Sequence, residues 1–272
     1  MHRVRNLPTL LVLAALAAGT TACALISQAM APPPTTSLDV VSYNIRHGQG
    51  MDDRVDLQRT AAVLLAQTPD IVALQEVDDR VQRSGRVDQA RELGRLLGLK
   101  HAFGAFMDFQ GGRYGMATLS RFPILSSWSI ALPDGSEPRI ALATEIELPN
   151  RARIVAVNVH FDWLDDDNDR YRQAVALARV LDTLSLPYIV LGDFNDQRNS
   201  RTLRIFQDMA VELRKPSDDR FTFSSTNPTK EIDHVFVGPE RPWRIGRIAV
   251  IDEKVASDHR PLIATIEHTK GR

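Results

Sequence analysis

The sequence predicts an α/β protein in which two mixed β-sheets pack face to face and carry helices on their outer surfaces. From Ser37 onward, short apolar and β-branched runs alternate with amphipathic helical segments, the pattern of layered α/β chains. Residues 100–148 depart from it: four strand-like runs follow one another through short Gly, Pro, Ser and Asp connections, which predicts antiparallel pairing. Two stacked sheets absorb the resulting strand count. A chain of 272 residues is ample for one large domain with a sizeable core, and one is expected, over 38–267.

In chain order, 38–45 reads as a strand. Residues 56–67 read as a helix, with Leu57, Ala61, Val63, Leu64 and Leu65 at helical spacing and Asp56 at its start. A strand over 70–76 completes a β-α-β unit. A helix over 87–97 ends at Gly98, and strands at 101–106, 115–120, 124–131 and 140–148 form the antiparallel section. A strand at 153–161 and a helix at 168–184 lead to 187–192, a buried-strand run that follows Pro187 and ends in Gly192-Asp193-Phe194-Asn195. A short helix near 201–210 and strands at 231–237, 243–251 and 261–267 complete the domain, and 268–272 is a polar tail.

The first 22 residues read as an export segment: His2, Arg3 and Arg5 precede an apolar stretch from Leu7 to Ala18 and a small-residue run to Ala22. Cys23, the only cysteine, stands where a bacterial lipoprotein signal places its lipidated residue, although Thr20 replaces the usual Leu; cleavage after Ala22, Ala24 or Ala31 is the alternative. A Pro-rich tether over 23–37 then reaches the domain. The expected location is therefore the periplasm or a membrane-anchored lipoprotein, with any membrane attachment confined to this segment. A lone cysteine excludes an internal disulfide, so the fold rests on its apolar core. Formal net charge is -1, and removing the first 22 residues leaves 31 basic against 34 acidic side chains. No basic face of the kind a long duplex needs is legible, so no stable nucleic-acid complex is expected, and the chain is read as a monomer.

Chemistry-bearing side chains recur at predicted strand ends: Tyr43-Asn44-Ile45-Arg46-His47-Gly48, Leu74-Gln75-Glu76-Val77, Asn158-Val159-His160-Phe161-Asp162, Gly192-Asp193-Phe194-Asn195-Asp196, Glu231-Ile232-Asp233-His234 and Ser257-Asp258-His259-Arg260-Pro261. Each alone is an ordinary turn or surface feature. Six strand ends converging on one face supply a set that no core requires. Glu76 and Asn44 offer hard oxygen donors suited to Mg²⁺ or Mn²⁺, and no Cys/His cluster of the zinc type exists.

This ordered set resembles the motifs of the endonuclease/exonuclease/phosphatase superfamily over about residues 38–267. The resemblance implies a four-layer α/β sandwich and metal-dependent hydrolysis of a phosphate ester, for which the site must neutralise phosphoryl charge, activate water and protonate a leaving group. Carried over residue by residue, it implies Glu76 as principal metal ligand with Asn44 beside it and Asp258 as a metal or outer ligand. Asp193 would orient or deprotonate the attacking water, and Asn195 would donate to a phosphoryl oxygen. His160 and His259 would flank the scissile phosphate, and Asp233 would fix the His259 tautomer. Tyr114 and Arg139 are secondary phosphate-contact candidates, a guanidinium fork matching phosphate oxygens. His234 alternates with Asp233 and so faces the opposite way, while Arg46 and His47 are rim candidates.

Asp165-Asp166-Asp167-Asn168-Asp169 looks like the start of a calcium loop, but Arg170 stands where the glycine turns and Ala176 where the bidentate Glu belongs. It reads instead as an acidic helix entrance that adds negative potential near the site. No G-x-S-x-G elbow or P-loop is present. The expectation is a Mg/Mn-dependent phosphodiesterase acting on a nuclease-type or phospholipid-headgroup substrate. The alternatives are a phosphomonoesterase of the same fold and a non-catalytic exported binding lipoprotein.

Overall fold

Alternation along the strands decides which side chain enters which layer. The computed structural model describes residues 35–269, so the expected export segment, Cys23 and residues 23–34 of the tether lie outside the described residues. The elements are β1 (Thr35–Asn44), α1 (Leu57–Leu65), β2 (Ile71–Asp79), α2 (Gln89–Leu97), β3 (Lys100–Phe109), β4 (Gly112–Ser120), β5 (Ile124–Ala131) and β6 (Ile140–Glu147). They continue with β7 (Arg153–His160), α3 (Asn168–Leu181), β8 (Tyr188–Asp193), α4 (Arg201–Met209), β9 (Val211–Glu212), β10 (Asp233–Gly238), β11 (Trp243–Val250) and β12 (Leu262–Thr269). One six-stranded sheet runs β11-β12-β1-β2-β4-β3 and the other β5-β6-β7-β8-β10-β9. Each has one parallel pair at its centre, β1 with β2 and β7 with β8, and the remaining neighbours are antiparallel. Both sheets are thus mixed.

Leu38 and Val40, Ile71 and Ala73, Ile154 and Ala156, Ile189 and Leu191, and Val235 and Val237 meet in one apolar layer between the sheets. Their sequence neighbours face outward. Val41, Tyr43, Val72 and Leu74 pack against Ala61 and Leu64 of α1 and Ala90 and Leu93 of α2. Val155, Val157 and Val190 pack against Ala174, Leu177 and Leu181 of α3 and Leu203 and Phe206 of α4. Strands buried on both faces explain the near-continuous apolar runs in the sequence. The result is the expected four-layer sandwich.

Helix boundaries follow side-chain caps. Asp56, Asp88 and Ser200 each accept a hydrogen bond from the amide three residues on, and Gly98 closes α2 in the left-handed conformation at φ 68°. At the domain's ends the structure corrects the sequence boundaries. Thr35 to Ser37, expected in the tether, pair with Thr269 to Glu267, so the tether ends earlier, and His268 and Thr269 belong to β12 rather than to a polar tail. A backbone ladder does not require apolar side chains, and threonine favours strands, so polar residues hid both strand ends.

Candidate active site

The inward parity that builds the apolar layer continues toward one end of the sandwich and changes character there. After Leu38 and Val40 it reaches Ser42 and Asn44; after Ile71 and Ala73, Gln75; after Ile154 and Ala156, Asn158 and His160; after Ile189 and Leu191, Asp193. On β10 the same parity carries Asp233. Strict alternation would turn Glu76 toward the helices. Instead the β2–β4 register slips between Leu74 and Val77, and Glu76 takes a left-handed backbone at φ 57°, which re-aims it into the cleft. Gly192 is required for close approach: a Cβ there would collide with the Val159 carbonyl oxygen.

Asp193 is the hub of the cluster. Its Oδ2 lies 3.7 Å from His160 Nε2 and 3.5 Å from His259 Nε2, and it accepts a hydrogen bond from Asn44 Nδ2 at 3.2 Å. Its Oδ1 accepts from the Asn195 amide at 2.9 Å. His259 Nδ1 hydrogen-bonds Asp233 Oδ2 at 3.0 Å, and Asn44 Nδ2 also reaches Glu76 Oε1 at 3.1 Å. Asn195 Nδ2 donates to the Phe161 carbonyl at 2.9 Å, which leaves its second N–H for another acceptor. Ser257 ties the last strand's approach to the first, donating to the Asn44 carbonyl at 2.7 Å.

Burial and charge give the two imidazoles opposite states. Burial, then the positive charges of Arg139 and His259, hold His160 far below the usual imidazole range, so it is neutral. Burial pulls His259 down as well, but the carboxylates of Asp233 and Asp193 outweigh it and raise His259 to about 10, an imidazolium at neutral pH. Burial pushes Asp193 up to about 7, with Asp233 adding to the rise and His259 opposing it. A carboxylate poised near neutrality beside a held imidazolium is equipped for proton transfer.

Asn44, Glu76, Tyr114, Arg139, His160, Asp193, Asn195, Asp258 and His259 all line one cleft of about 350 Å³. Asp233 sits behind His259. The sequence candidates are therefore brought together, the secondary pair included. Tyr114 packs edge-on against Phe106 at 4.8 Å, and burial, followed by the charge of Glu76, raises its hydroxyl so that it stays protonated. The Arg139 side chain is 2% exposed and meets Glu137 at 3.1 Å, and among the described residues its Nε and Nη1 have no hydrogen-bond partner. His234 lies on the outward parity, its Nε2 3.0 Å from the Asp196 carbonyl oxygen and its ring 5.5 Å from that of Phe194. Arg46 approaches Asp258 at 4.0 Å on the rim.

Four lining or supporting residues were not singled out from sequence. Gln75 and Asn158 join the two sheets under the cleft through a 2.7 Å hydrogen bond, with Asn158 Nδ2 donating 2.9 Å bonds to the carbonyls of Leu74 and Ala117. Their signal was the inward parity itself. Trp163 and Phe223 wall the cleft, and the Phe223 ring lies 5.0 Å from that of His259, tilted by 53°; they sit in loops, where periodicity is silent. The acidic entrance to α3 is less negative than expected. Arg201 pairs with Asp167 and Arg172 with Asp169, so cations meet two of the run's four carboxylates.

The cleft's donor set suits a divalent cation. Glu76, Asp258 and Asn44 supply only oxygen ligands on one cleft, the chemistry of a magnesium-type ion, which keeps several of its waters. Asn44 turns its nitrogen toward Glu76 while its Oδ1 accepts from the Arg46 amide at 3.1 Å, so the amide must rotate to act as a ligand. Donor atoms of Asp193, Asp233 and His259 also lie within 4.8 Å of one another. That trio already satisfies itself through the Asp233–His259 bond, so a cation there would have to displace a proton, and Glu76 with Asp258 fits better.

The chain is similar to known proteins in sequence and in fold. UPF0294 proteins of Vibrio cholerae serotype O1 are 30% identical over 132 residues, 46% of this chain, and the match spans less than half, 44%, of the length of these curated relatives. An endonuclease/exonuclease/phosphatase from Beutenbergia cavernae superposes with a TM-score of 0.72 at 22% identity, covering 86% of this chain and 72% of its own. A mannosyl-6-phosphatase of Bacteroides thetaiotaomicron gives 0.67 at 20% identity, covering 84% of this chain and 98% of its own. The sequence model of the Endonuclease/Exonuclease/phosphatase family matches residues 41–259, from β1 through His259, and the chain belongs to that family.

Proposed function

We propose that the protein is a divalent-metal-dependent phosphoric ester hydrolase, acting on phosphodiesters. The observation that carries this reading is Arg139, a buried guanidinium with two unpaired nitrogens on the wall of the cleft that holds Asp193 and His259. Leaving such a group unpaired costs roughly 1–3 kcal/mol or more, which an anionic ligand offsets and a structural role does not explain. Its free N–H groups match the planar fork geometry of phosphate oxygens.

From there each residue has a task. Arg139 and the second N–H of Asn195 bind phosphoryl oxygens. Asp193, at about 7, accepts the proton of the attacking water. His259, protonated on both nitrogens and held by Asp233, stabilises charge on the phosphoryl group and gives a proton to the departing oxygen. His160, kept neutral, orients Asp193 without adding a competing positive charge. Glu76, with Asp258 and Asn44, would hold a magnesium- or manganese-type ion, which when bound supplies further neutralisation of phosphoryl charge.

The diester reading is supported by room for a second ester group. The catalytic cleft adjoins a cavity of about 300 Å³, and Trp163, Asn195, Phe223 and His259 line both. The structural likeness to a mannosyl-6-phosphatase makes a monoester the second arm of the test. Purified protein offered bis(p-nitrophenyl) phosphate and p-nitrophenyl phosphate, with Mg²⁺, Mn²⁺ or EDTA, should turn over the diester faster and only with metal. A larger rate on the monoester would reverse the substrate assignment.

The export-type N-terminus supports placing the enzyme outside the cytoplasm. Mass spectrometry of chain recovered from a bacterial envelope fraction tests it: a start at Cys23 with added lipid mass supports anchoring, and uncut chain in the cytosol contradicts export.

A further inference from the structure

The catalytic cleft is the first of three cavities in a row. The second, walled by Trp163 and Phe223, shares four lining residues with it. The third, of about 360 Å³, shares Gln197 with the second and is lined by Arg198, Arg214, Lys215 and Arg220. Two carboxylates serve these four cations. Glu231 meets Lys215 at 3.1 Å and Arg220 at 3.7 Å, and Glu212 meets Arg198 at 3.0 Å and Arg214 at 3.9 Å. Two positive charges remain in excess among these contacts. Asp218 and Asp219 belong to the same turn but not to the cavity's lining.

The cations differ in how committed they are. Lys215 is 1% exposed and holds the β10 backbone, donating to the Asp233 carbonyl at 2.7 Å, so it supports the catalytic strand. Arg214 is 73% exposed, with its one carboxylate contact at 3.9 Å, and is free to turn onto a ligand; Arg220, 40% exposed and 3.7 Å from Glu231, is held at the cavity wall by a 2.6 Å hydrogen bond to the Ser217 carbonyl and by the Phe221 ring, which leaves its remaining N–H groups to a ligand. A cavity with surplus positive charge, one guanidinium free to swing and another positioned on its wall selects phosphate.

We infer that the third cavity is a distal anion subsite, and that the substrate is a diester carrying a second phosphate on the far side of a planar group seated between Trp163 and Phe223. The middle cavity favours that order. Trp163 is 59% exposed, an apolar plane left to solvent beside the reacting centre, and aromatic faces of this kind stack on flat rings. A short single-stranded oligonucleotide has this alternation of phosphate, ring and phosphate; a phospholipid places an apolar tail where the arginines lie. The subsite rests on the phosphodiesterase reading for its purpose, but its binding is measurable apart from turnover.

Isothermal titration of the purified full chain with thymidine 5′-phosphate and with thymidine 3′,5′-bisphosphate tests it. The bisphosphate should bind about tenfold tighter or better, the gain expected of one well-made charge-assisted contact. Arg214→Ala with Arg220→Ala should remove that advantage, while monophosphate affinity and turnover of bis(p-nitrophenyl) phosphate stay unchanged. Arg214→Gln alone, on a side chain already in solvent, should at least halve it even if the double variant is poorly folded. Arg244→Ala, on β11 and 78% exposed, should change nothing. Equal affinity for the two nucleotides, an advantage that survives the double substitution, or an equal gain from free inorganic phosphate added to the monophosphate would each overturn the subsite. Loss of all turnover in the wild type would sink the hydrolase reading instead, and the binding comparison would still decide the subsite.

Discussion

Arg139 shows at the scale of one residue how stability is given up for a site. It is a secondary candidate in the sequence because Glu137-Pro138-Arg139 has no motif of its own, and only burial reveals that, beside its contacts with Glu137 and Phe106, two of its nitrogens have no hydrogen-bond partner among the described residues. Replacing it by an apolar side chain of similar length removes the two unpartnered buried nitrogens and leaves behind a Glu137 that water already reaches, so Arg139→Met should raise unfolding free energy by about 1 kcal/mol while phosphate affinity falls at least about tenfold. Urea unfolding and phosphate titration of the same sample check both, and a variant both weaker in binding and less stable would show that Arg139 is structural. Glu76 makes the complementary point. Its residue type marked it in the sequence, but the left-handed backbone that aims it was invisible, because alternation alone points it at the helices.

At the scale of elements, the strands of the two sheets act as rulers. Parity fixes Asn44, His160, Asp193 and Asp233 relative to the apolar layer, which is why the strand-end motifs were legible from sequence and the loop residues Trp163 and Phe223 were not. The element junction most exposed to test is the Gln75–Asn158 bond between the sheets. Asn158→Ala removes the shortest bond of Gln75, leaving it only longer ones to Ala73 and Ser42, and takes a donor from two carbonyl groups in a buried layer, and should cost roughly 2–4 kcal/mol, with activity reduced in the residual folded protein. A loss under about 0.5 kcal/mol by urea denaturation, the size of a surface change, would contradict a bracing role. Strand ends were harder to read. The Thr35–Ser37 ladder with β12 is made by backbone groups, and its side chains carry no apolar signature.

For the whole molecule, buried neutral histidine sets the acid limit. His234 is fully enclosed, and burial, then the charge of Lys215, holds it well below the usual imidazole range. The unfolded chain takes up that proton near pH 6.5 while the folded chain does not, so this contribution is complete above 6.5 and is lost as pH falls toward the folded value. His234→Asn should therefore flatten the decline of stability between pH 6.5 and 5 by up to about 1.4 kcal/mol per pH unit. Urea midpoints across that range give the slope, and an unchanged slope would mean His234 is not the group that titrates.

The central claim is that Asp193, held by Asn44 between the imidazoles of His160 and His259, performs proton transfer in hydrolysing a phosphate ester. The most direct measurement is kcat on bis(p-nitrophenyl) phosphate with saturating Mg²⁺ for the wild type and for Asp193→Asn, which keeps the shape and removes the base. The account predicts a fall of about a hundredfold or more with the fold and phosphate binding intact; an Asp193→Asn rate within about threefold of the wild type would contradict it.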